Sequence, residues 1–357
     1  MKRLIMIYGV SIILLLIILL PGCKGPDQTE PTQSLLTHKN DKYIQYLVSK
    51  LGFNSDMIKD NGEYFLIERD IRIEKKYLDQ ILSRLNKTQQ WASSDFLVSI
   101  NNVGSITYKI DASVSSWSSV IQSAANNWSQ ISNCKINLVR NDINPNITFV
   151  NSSLSYGTCA VSSFPENGYP GSTIYIDLNQ DLSLNDNEKI FLLVHELGHA
   201  LGFRHTNWQS LGETGGAYLI PRTPQTDDGS VMNGNTCGYS WIGFSSYDTE
   251  AARVLYPVTL SQPSVSSMSH YTSYSRYGFS WVYLKADAPD PAAYVEVWRS
   301  INGGSFSFIG YMELNTYTQI EEAQWYNTYT YKIRGVNFNK DYQSAFSSQY
   351  YQIYVTQ

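Results

Sequence analysis

Apolar residues follow two different periods along the chain, and the two periods predict helices and strands in turn. Over residues 114–131 the apolar side chains recur every three or four positions, as on the buried face of a helix. Over residues 105–110 they alternate with polar ones, as in a strand with one buried face. The same criteria predict further helices at 41–51, 71–85, 185–201 and 245–256, and strands at 63–73, 135–139, 146–150 and 172–177. We therefore expect an α+β domain in which helices pack against a twisted sheet.

The helical period is absent from residues 268–357, where tyrosine and serine are abundant. Alternating segments at short spacing predict an all-β, immunoglobulin-like sandwich there, with Trp281 in its core. Their order resembles a fibronectin type III domain, with Tyr329 at the place of the tyrosine corner. Residues 258–267 contain serine and proline, and we interpret them as a linker. The alternating segments are 277–284, 294–300 and 329–336.

The chain begins with two basic residues, followed by an apolar run over residues 4–20. This pattern is typical of a secretory signal, although the run also approaches the length of a short membrane-spanning helix. Cys23 follows Leu20, Pro21 and Gly22, a sequence that resembles the bacterial lipobox. Pro21 departs from the lipobox, which usually has a small residue such as alanine or serine at that place. We predict that residues 1–22 form a lipoprotein signal peptide and that Cys23 is lipidated.

An uncleaved membrane anchor and a soluble secreted protein remain as alternatives to the lipoprotein. The polar, proline-containing residues 23–37 predict a flexible tether between the lipid and the folded part. The lipid would attach the protein to a membrane, and we expect it in a bacterial cell envelope, as an outer-membrane lipoprotein, or in the extracellular space.

Charge and cysteine content narrow the class of protein further. Only 16% of the residues are charged and the net charge is −5, without a basic patch, so we expect no binding to nucleic acid. We expect a monomer. Of the other cysteines, Cys159 and Cys237 both flank the expected cleft, and we favour a disulfide between them in an oxidising compartment. Simple core packing of these two and Cys134 is the alternative.

Residues 195–205 follow the pattern H-E-x-x-H-x-x-G-x-x-H without a mismatch. His195 and His199 are four residues apart, so both imidazoles project from one face of a helix. Gly202 lets the helix end and the chain turn back, which brings His205 to the same place. Three protein ligands leave the fourth position of a tetrahedral zinc ion to water, as in a catalytic site. We predict one catalytic zinc ion, held by these three histidines.

Glu196 follows the first histidine and lies beside the metal without pointing at it. It is the expected general base and acid, because a carboxylate there can take a proton from metal-activated water and pass it to a leaving amine. The alternative is a helix that carries these residues by chance, but three of the chain's five histidines occupy the pattern. Nearby acidic residues suit a calcium ion, although their spacing matches no known calcium loop: Asp177, Asp181, Asp186 and Glu188.

Met232 lies in the stretch 228–233, downstream of His205. It resembles the methionine of the Met-turn, which in metzincin proteases lies beneath the zinc-bound histidines. Relatives often have an oxyanion-stabilising tyrosine two residues later, but this chain has Gly234 there and leaves the role open, with Tyr239 as an alternative. A lone methionine that fills a core is the other interpretation of Met232.

The motif and its extension over residues 203–208 resemble the dual-action HEIGH metallopeptidases, a bacterial metzincin family. Leu197 stands where the family name has isoleucine, and Asn207 where many members have aspartate. The resemblance covers about residues 40–257. It implies a metzincin-like domain at 96–257, with a twisted sheet over a zinc-binding helix. It also implies a secreted zinc endopeptidase in which the three motif histidines are ligands and Glu196 is the catalyst.

Residues 38–95 precede this domain, and we interpret them as a prodomain or an N-terminal support region. Many metzincins are kept latent by a prodomain cysteine, but the only cysteine upstream here is Cys23. A carboxylate such as Asp70 would be able to block the metal instead. An exposed charge on a strand is the alternative interpretation of Asp70. The resemblance also implies that an edge strand within residues 157–171 pairs with substrate, the alternative being a surface loop.

Peptide-bond hydrolysis is therefore the function that the sequence favours, with a protein or peptide as substrate. The alternative is a surface adhesin without activity, stabilised by zinc and binding through its C-terminal sandwich. A hydrolase that acts on a non-peptide amide is a third hypothesis. Glu196 distinguishes the first from the second, because an adhesin does not need a catalytic carboxylate.

Overall fold

The computed structural model describes residues 42–85, 96–180, 183–212, 218–235, 237–273, 276–287 and 291–357. The predicted signal peptide, the tether and Cys23 lie outside these ranges. Among the helices within them, none combines the length and the apolar character that crossing a membrane requires.

The N-terminal region contains two helices and three short strands. Helix α1 packs Leu47 against the inner face of these strands. Strands β2 and β3 form a hairpin in which Ile67 pairs with Ile71, so the stretch predicted as strand at 63–73 is a pair of strands and not one long strand. The three residues between the strands include two with positive φ, Glu68 at 54° and Arg69 at 80°, which gives the hairpin a tight turn. The elements are α1 (Lys42–Ser49), β1 (Ile58–Asp60), β2 (Tyr64–Ile67), β3 (Ile71–Glu74) and α2 (Lys75–Leu85).

The central region adds five strands and three helices. The predicted helices and strands are present, with the second strand beginning three residues later than expected and the helix at 114–131 starting as a 3₁₀ turn, Ala112–Trp117. The elements are β4 (Ile106–Ile110), α3 (Ser118–Ser129), β5 (Leu138–Arg140), β6 (Ile147–Asn151), β7 (Ala160–Ser163), β8 (Thr173–Ile176), α4 (Asp186–Ala200) and α5 (Ser246–Leu255).

One eight-stranded sheet joins the N-terminal and central regions, in the order β1-β2-β3-β7-β8-β6-β4-β5. Strands β4, β5, β6 and β8 are parallel neighbours, whereas β7 is antiparallel to β8. Helices α3 and α4 pack on the sheet with their apolar faces in a common core. Within it, the indole of Trp128 donates a hydrogen bond of 2.9 Å to the carbonyl of Val194 in α4. The sheet therefore crosses the predicted boundary at residues 95 and 96.

The C-terminal region consists of antiparallel strands in two sheets, with orders β13-β10-β9 and β12-β11-β14-β15. Their inner faces enclose one apolar core, which confirms the predicted sandwich; its fibronectin type III identity stays a prediction. The strands are β9 (Ser264–Thr272), β10 (Phe279–Asp287), β11 (Tyr294–Ile301), β12 (Ser307–Glu313), β13 (Thr318–Gln324), β14 (Asn327–Val336) and β15 (Tyr351–Val355).

Two sequence expectations for this sandwich need correction. Trp281 is half-exposed; the tryptophan in the core is Trp325, whose indole donates to the Ser280 hydroxyl at 2.9 Å. Side chains alternate along β10, so that Val282 and Leu284 point into the core. Trp281 directly precedes Val282 and points outward. The predicted linker is also shorter, because residues 264–267 already belong to β9.

The sandwich packs directly onto the central region. Asp341 accepts a hydrogen bond of 2.8 Å from the backbone N–H of Ile100. The side chain of Asn337 donates one of 3.3 Å to the carbonyl of Leu255. Phe338 is buried in the same core as helices α3 and α4. These contacts fix the sandwich against the end of α5.

Candidate metal centre

Helix α4 carries the motif and begins with a capping box. The side chain of Asn185 accepts from the N–H groups of Asn187 and Glu188, and the Glu188 carboxylate accepts from the N–H of Asn185. This reciprocal arrangement satisfies donors that the first turn leaves unpaired. The helix ends at Ala200, and Gly202 has a φ of +100°. A Cβ on Gly202 would lie 2.6 Å from the carbonyl oxygen of Phe96, so glycine is needed there.

The three motif histidines meet with their Nε2 atoms close together. His199 Nε2 lies 3.0 Å from His195 Nε2 and 3.2 Å from His205 Nε2. All three side chains are at most 1% exposed. Nitrogens bound tetrahedrally to zinc at about 2.0–2.1 Å stand roughly 3.3 Å apart. The observed spacing is therefore close to the edge of such a tetrahedron.

Backbone carbonyls hold two of the imidazoles in one tautomer. The Nδ1 of His195 donates to the carbonyl of Val231, and that of His199 to the carbonyl of Phe203, both at 2.8 Å. Because Nδ1 carries the proton, the lone pair of Nε2 points into the centre. Burial, followed by the neighbouring His199, lowers the pKa of His195 to about 4. Neutral imidazoles are the form that binds a metal.

Met232 packs against helix α4 at Gly198, which lies between the first two motif histidines in the chain. It is 2% exposed and sits in a turn that a hydrogen bond of 3.3 Å closes, from the N–H of Asn233 to the carbonyl of Ser230. A Cβ on Gly198 would stand 2.2 Å from the Sδ of Met232. The absence of a side chain at Gly198 thus lets the methionine approach the helix backbone.

Asp248 in α5 stabilises this turn through hydrogen bonds. Its carboxylate accepts from the Ser230 hydroxyl at 2.5 Å and from the N–H of Val231 at 3.0 Å. It also caps its own helix by accepting from the N–H of Ser245 at 3.0 Å. Burial raises the pKa of Asp248. The sequence indicated the helix that starts at Ser245 but not this second task, since the partners are 17 and 18 residues away.

Asp70, at the tip of the β2–β3 hairpin, closes the fourth side of the cluster. One carboxylate oxygen lies 3.0 Å from His205 Nε2 and 3.7 Å from His195 Nε2, and the other lies 3.7 Å from His199 Nε2. Burial by itself would raise the pKa of Asp70, but the imidazoles, His205 foremost, outweigh it and hold the pKa well below its usual value. The carboxylate is therefore ionised.

The four side chains form a donor set that fits zinc. Their ligand atoms all lie within 4.8 Å of one another. In the part of the chain that the structure describes, the Oδ1 of Asp70 is buried and has no hydrogen-bond donor, a costly arrangement unless a cation neutralises it. Three nitrogens and one carboxylate oxygen are typical ligands of zinc and not of calcium, which takes six to eight oxygens.

Glu196 lies next to this cluster. It is 2% exposed and lines a cavity of about 220 Å³ together with Asp70, His205 and Leu192. This cavity brings the catalytic candidate and a motif histidine to one cleft. A buried carboxylate next to His205, whose Nε2 adjoins that of His199, suits hydrolysis assisted by a metal.

The comparison with protein families agrees with this chemistry. The model of the dual-action HEIGH metallo-peptidases matches residues 65–256. The chain belongs to this family. It is a zinc metallopeptidase. No curated protein matches it.

Three solved structures show weaker likenesses. High choriolytic enzyme 1, a hatching enzyme zinc-protease of the medaka fish Oryzias latipes, is 21% identical over 47% of this chain and 98% of its own, with a TM-score of 0.32. Wild-type OgpA from Akkermansia muciniphila is 7% identical over 74% and 95%, with a TM-score of 0.24. The twitchin kinase region of C. elegans is 20% identical over 21% and 14%, with a TM-score of 0.19. These scores are too low to define a common fold.

Two further residues of the hairpin tip bind to the rim of the peptidase cleft. Glu68 is 1% exposed and forms an ion pair with Arg204, the neighbour of His205. Arg69 donates a hydrogen bond of 3.2 Å to the side chain of Asn235. Together with Asp70, three consecutive side chains therefore fasten the tip inside the cleft.

The strand that the resemblance assigned to substrate is present but is not an edge. Strand β7 lies between β8 and β3, and β3 runs parallel to it. The N–H of Ser162 donates to the carbonyl of Asp70 at 2.8 Å, and that of Phe164 to the carbonyl of Arg72 at 3.1 Å. The chain's own N-terminal region thus occupies the hydrogen-bonding groups that a peptide would need.

The favoured disulfide between Cys159 and Cys237 is confirmed. It ties the start of β7 to the loop after Met232, and both cysteines line the cavity of Glu196. Cys134 is free and buried, and burial raises its pKa to about 11, so this thiol is a packing residue.

The remaining sequence candidates have other surroundings. A Cβ on Gly234 would lie 2.5 Å from the Leu211 side chain and 3.1 Å from the His205 ring, so a tyrosine there would require Leu211 to move. Tyr239 packs against Phe191 with ring centroids 5.7 Å apart and is 54% exposed. Asp177 accepts backbone hydrogen bonds from Leu154 and Asn179. Asp181 lies outside the described residues, and a calcium site stays untested.

Proposed function

We propose that the protein is a zinc endopeptidase of the metzincin type, with His195, His199 and His205 as the metal ligands and Glu196 as general base and acid. The observation that carries the proposal is the convergence of three buried Nε2 atoms, 3.0 and 3.2 Å apart, beside a buried carboxylate. Met232 supports the floor of this site.

The residues divide the chemistry among them. Zinc supplies, when bound, Lewis acidity toward a peptide carbonyl and a lower pKa for water. The carboxylate of Glu196 accepts the proton of the attacking water and then donates it to the leaving nitrogen. The Nδ1 bonds to Val231 and Phe203 keep two imidazoles oriented, and burial excludes competing water.

Substitution of Glu196 by glutamine tests this assignment. Glutamine keeps the shape but cannot accept a proton, so we expect the rate of peptide cleavage to fall by about 100-fold or more, the usual contribution of general acid–base catalysis. Zinc content, measured by elemental analysis, should stay at one ion per chain. The matched control is Glu313→Gln, on the exposed side of β12. Cleavage by E196Q at the wild-type rate with zinc bound would contradict the role of Glu196.

We further propose that residues 38–95 act as a propeptide. The support is their double occupation of the cleft, with β3 along β7 and Asp70 at the three Nε2 atoms. Substrate needs both places, so this region must leave or be displaced before cleavage. A cut between Leu85 and Phe96, made by a site-specific protease whose recognition sequence is placed there, tests the proposal.

For its location we propose a bacterial cell envelope, with the protein attached to the membrane through lipidated Cys23. The support is the lipobox-like sequence at residues 20–23. Metabolic labelling with a radioactive fatty acid should mark the wild type and spare Cys23→Ser. Equal labelling of both proteins would contradict the anchor.

A further inference from the structure

Every partner of the Arg204 guanidinium in the described ranges belongs to the N-terminal region. Its Nε and Nη2 contact the carboxylate of Glu68, and its Nη1 donates to the carbonyl of Leu51 at 3.3 Å. The ring of Phe53 lies 4.1 Å from its Cζ. These contacts leave the Arg204 side chain only 12% exposed.

The backbone of Arg204, in contrast, belongs to the metal site. It stands between Phe203, whose carbonyl accepts from His199 at 2.8 Å, and His205, whose Nε2 is part of the cluster. The backbone of Arg204 therefore stays beside the site when the N-terminal region departs, and its side chain loses these partners. The carboxylate that it binds now is two residues from Asp70, which lies at the three Nε2 atoms.

Departure of residues 38–95 would leave a guanidinium on the cleft wall without its carboxylate. An arginine fork is preorganised for a carboxylate and binds it through two parallel hydrogen bonds. The pair is also shielded, since Glu68 is 1% exposed, and a charge-assisted hydrogen bond is stronger where water is excluded. Because Arg204 directly precedes His205 in the chain, a peptide bound at the histidines would extend past this group within a few residues of the scissile bond.

We propose that Arg204 forms a specificity subsite for an aspartate or glutamate side chain of the substrate, and that Glu68 occupies this subsite in the intact chain. The inference rests on the proposed endopeptidase function and on release of the N-terminal region. It assigns to Arg204 a binding contact with substrate that is separate from the chemistry of Glu196.

The experiment uses the full-length chain, cut between residues 85 and 96 after purification. Peptide substrates are synthesised in pairs that differ only by glutamate or glutamine, at each of three positions on either side of the scissile bond. For the wild type we expect one position at which glutamate raises kcat/KM by about 10-fold or more, the effect of one charge-assisted hydrogen bond. The gain should appear in KM more than in kcat, since the contact is remote from the reacting atoms.

Three variants separate this role from a structural one. In Arg204→Met the preference for glutamate should disappear while cleavage of the glutamine peptides continues. Arg204→Lys should keep part of the preference, because it retains the charge but not the fork. Arg140→Met, which removes an exposed arginine paired with Asp142, is the matched control and should keep the full preference.

Inhibition by an added peptide of residues 38–85 gives a second measurement that does not need the methionine variant to be stable. Glu68→Gln in this peptide should weaken inhibition of the wild type by about 10-fold and inhibition of Arg204→Lys by less. A wild type that cleaves peptides without any acidic preference, or an equal loss of inhibition in both enzymes, would overturn the subsite alone. A cut wild type that cleaves no peptide would overturn the endopeptidase as well.

Discussion

The helix wall of the metal site, residues 195–205, and the hairpin wall, residues 68–70, face each other across one cavity but are held differently. The helix wall is held by contacts within the central region, namely the capping box at Asn185 and the backbone carbonyls that bind the histidines. The hairpin wall is held by contacts with a different region, namely the pairing of β3 with β7 and the ionic contacts of its tip.

The difference indicates which wall is permanent. Helix α4 shares an apolar core with α3 and the sheet, so its removal would unfold the domain. The hairpin packs with α1 and α2 in a second apolar cluster, to which the remaining chain contributes Phe96 and Phe164, and its register with β7 covers two residue pairs, Ile71 with Ser162 and Arg72 with Ser163. The hairpin wall is therefore suited to leave as a unit.

The largest predicted effect is on activity, after the hairpin wall is released. Cutting between residues 85 and 96 should raise the rate of peptide cleavage by about 100-fold or more, because a tethered competitor acts at millimolar effective concentration. The rate of a fluorescent peptide's hydrolysis before and after the cut measures it. An uncut chain that is already as active as the cut chain would show that the hairpin does not block the cleft.

The second prediction compares the walls as ligands. His199→Gln should weaken zinc binding by more than the 10- to 100-fold that loss of an outer-shell partner costs, whether or not the chain is cut. Asp70→Asn should weaken it by about 10-fold in the intact chain only, the lower end of that range. Competition with a chelator gives both affinities, and the visible spectrum of bound cobalt reports the coordination number.

The matched control for the aspartate variant is Asp79→Asn, which changes a carboxylate of α2 that pairs with Lys42 on the surface. This substitution removes the same charge from the N-terminal region at a place away from the metal site, so it should leave zinc affinity unchanged in both forms. If Asp70→Asn weakens binding equally in cut and intact chains, the aspartate would belong to the permanent site and the propeptide interpretation would fail.

The helix wall could be predicted from the sequence because its determinants are local. His195, His199 and Gly202 lie within eight residues, and the helix period and the glycine place them. The capping box at Asn185 is equally local. The role of Met232 could be predicted only from the family resemblance. Nothing in the sequence around it shows that a glycine in α4 makes room for its side chain.

The hairpin wall could not be predicted in the same way. Glu68 and Arg204 are 136 residues apart, and their pairing follows from the order of strands in the sheet, which single-strand patterns do not determine. For the same reason the sequence left two interpretations of Asp70, a carboxylate that blocks the metal and an exposed charge on a strand. The covered edge of β7 was missed because the sequence pattern of β3 indicates only a hairpin partner of β2.

The smallest predicted effect concerns the contact between the hairpin strand β3 and the loop after β7. Burial, followed by repulsion from Glu74 in β3, raises the pKa of Glu166 to about 7, and Lys76 partly opposes this. A carboxyl whose pKa is raised in the folded state stabilises the fold fully below its unfolded pKa, and that stability is lost as the pH rises through about 7.

Ionisation of Glu166 should therefore lower the free energy of unfolding of the intact chain between about pH 5 and pH 8. The decrease should be about 1 kcal/mol, because solvent screens the charge of a partly exposed group. Glu166→Gln stays neutral throughout, so the difference in free energy of unfolding between this variant and the wild type should grow with pH. Urea denaturation at the two pH values measures it, and titration of the histidines cancels in the difference. In the cut chain without its N-terminal region, where Glu74 is absent, the difference should shrink. If the difference does not shrink there, the raised pKa of Glu166 would be caused by residues that remain after the N-terminal region has left. That outcome would contradict the separation of the two walls.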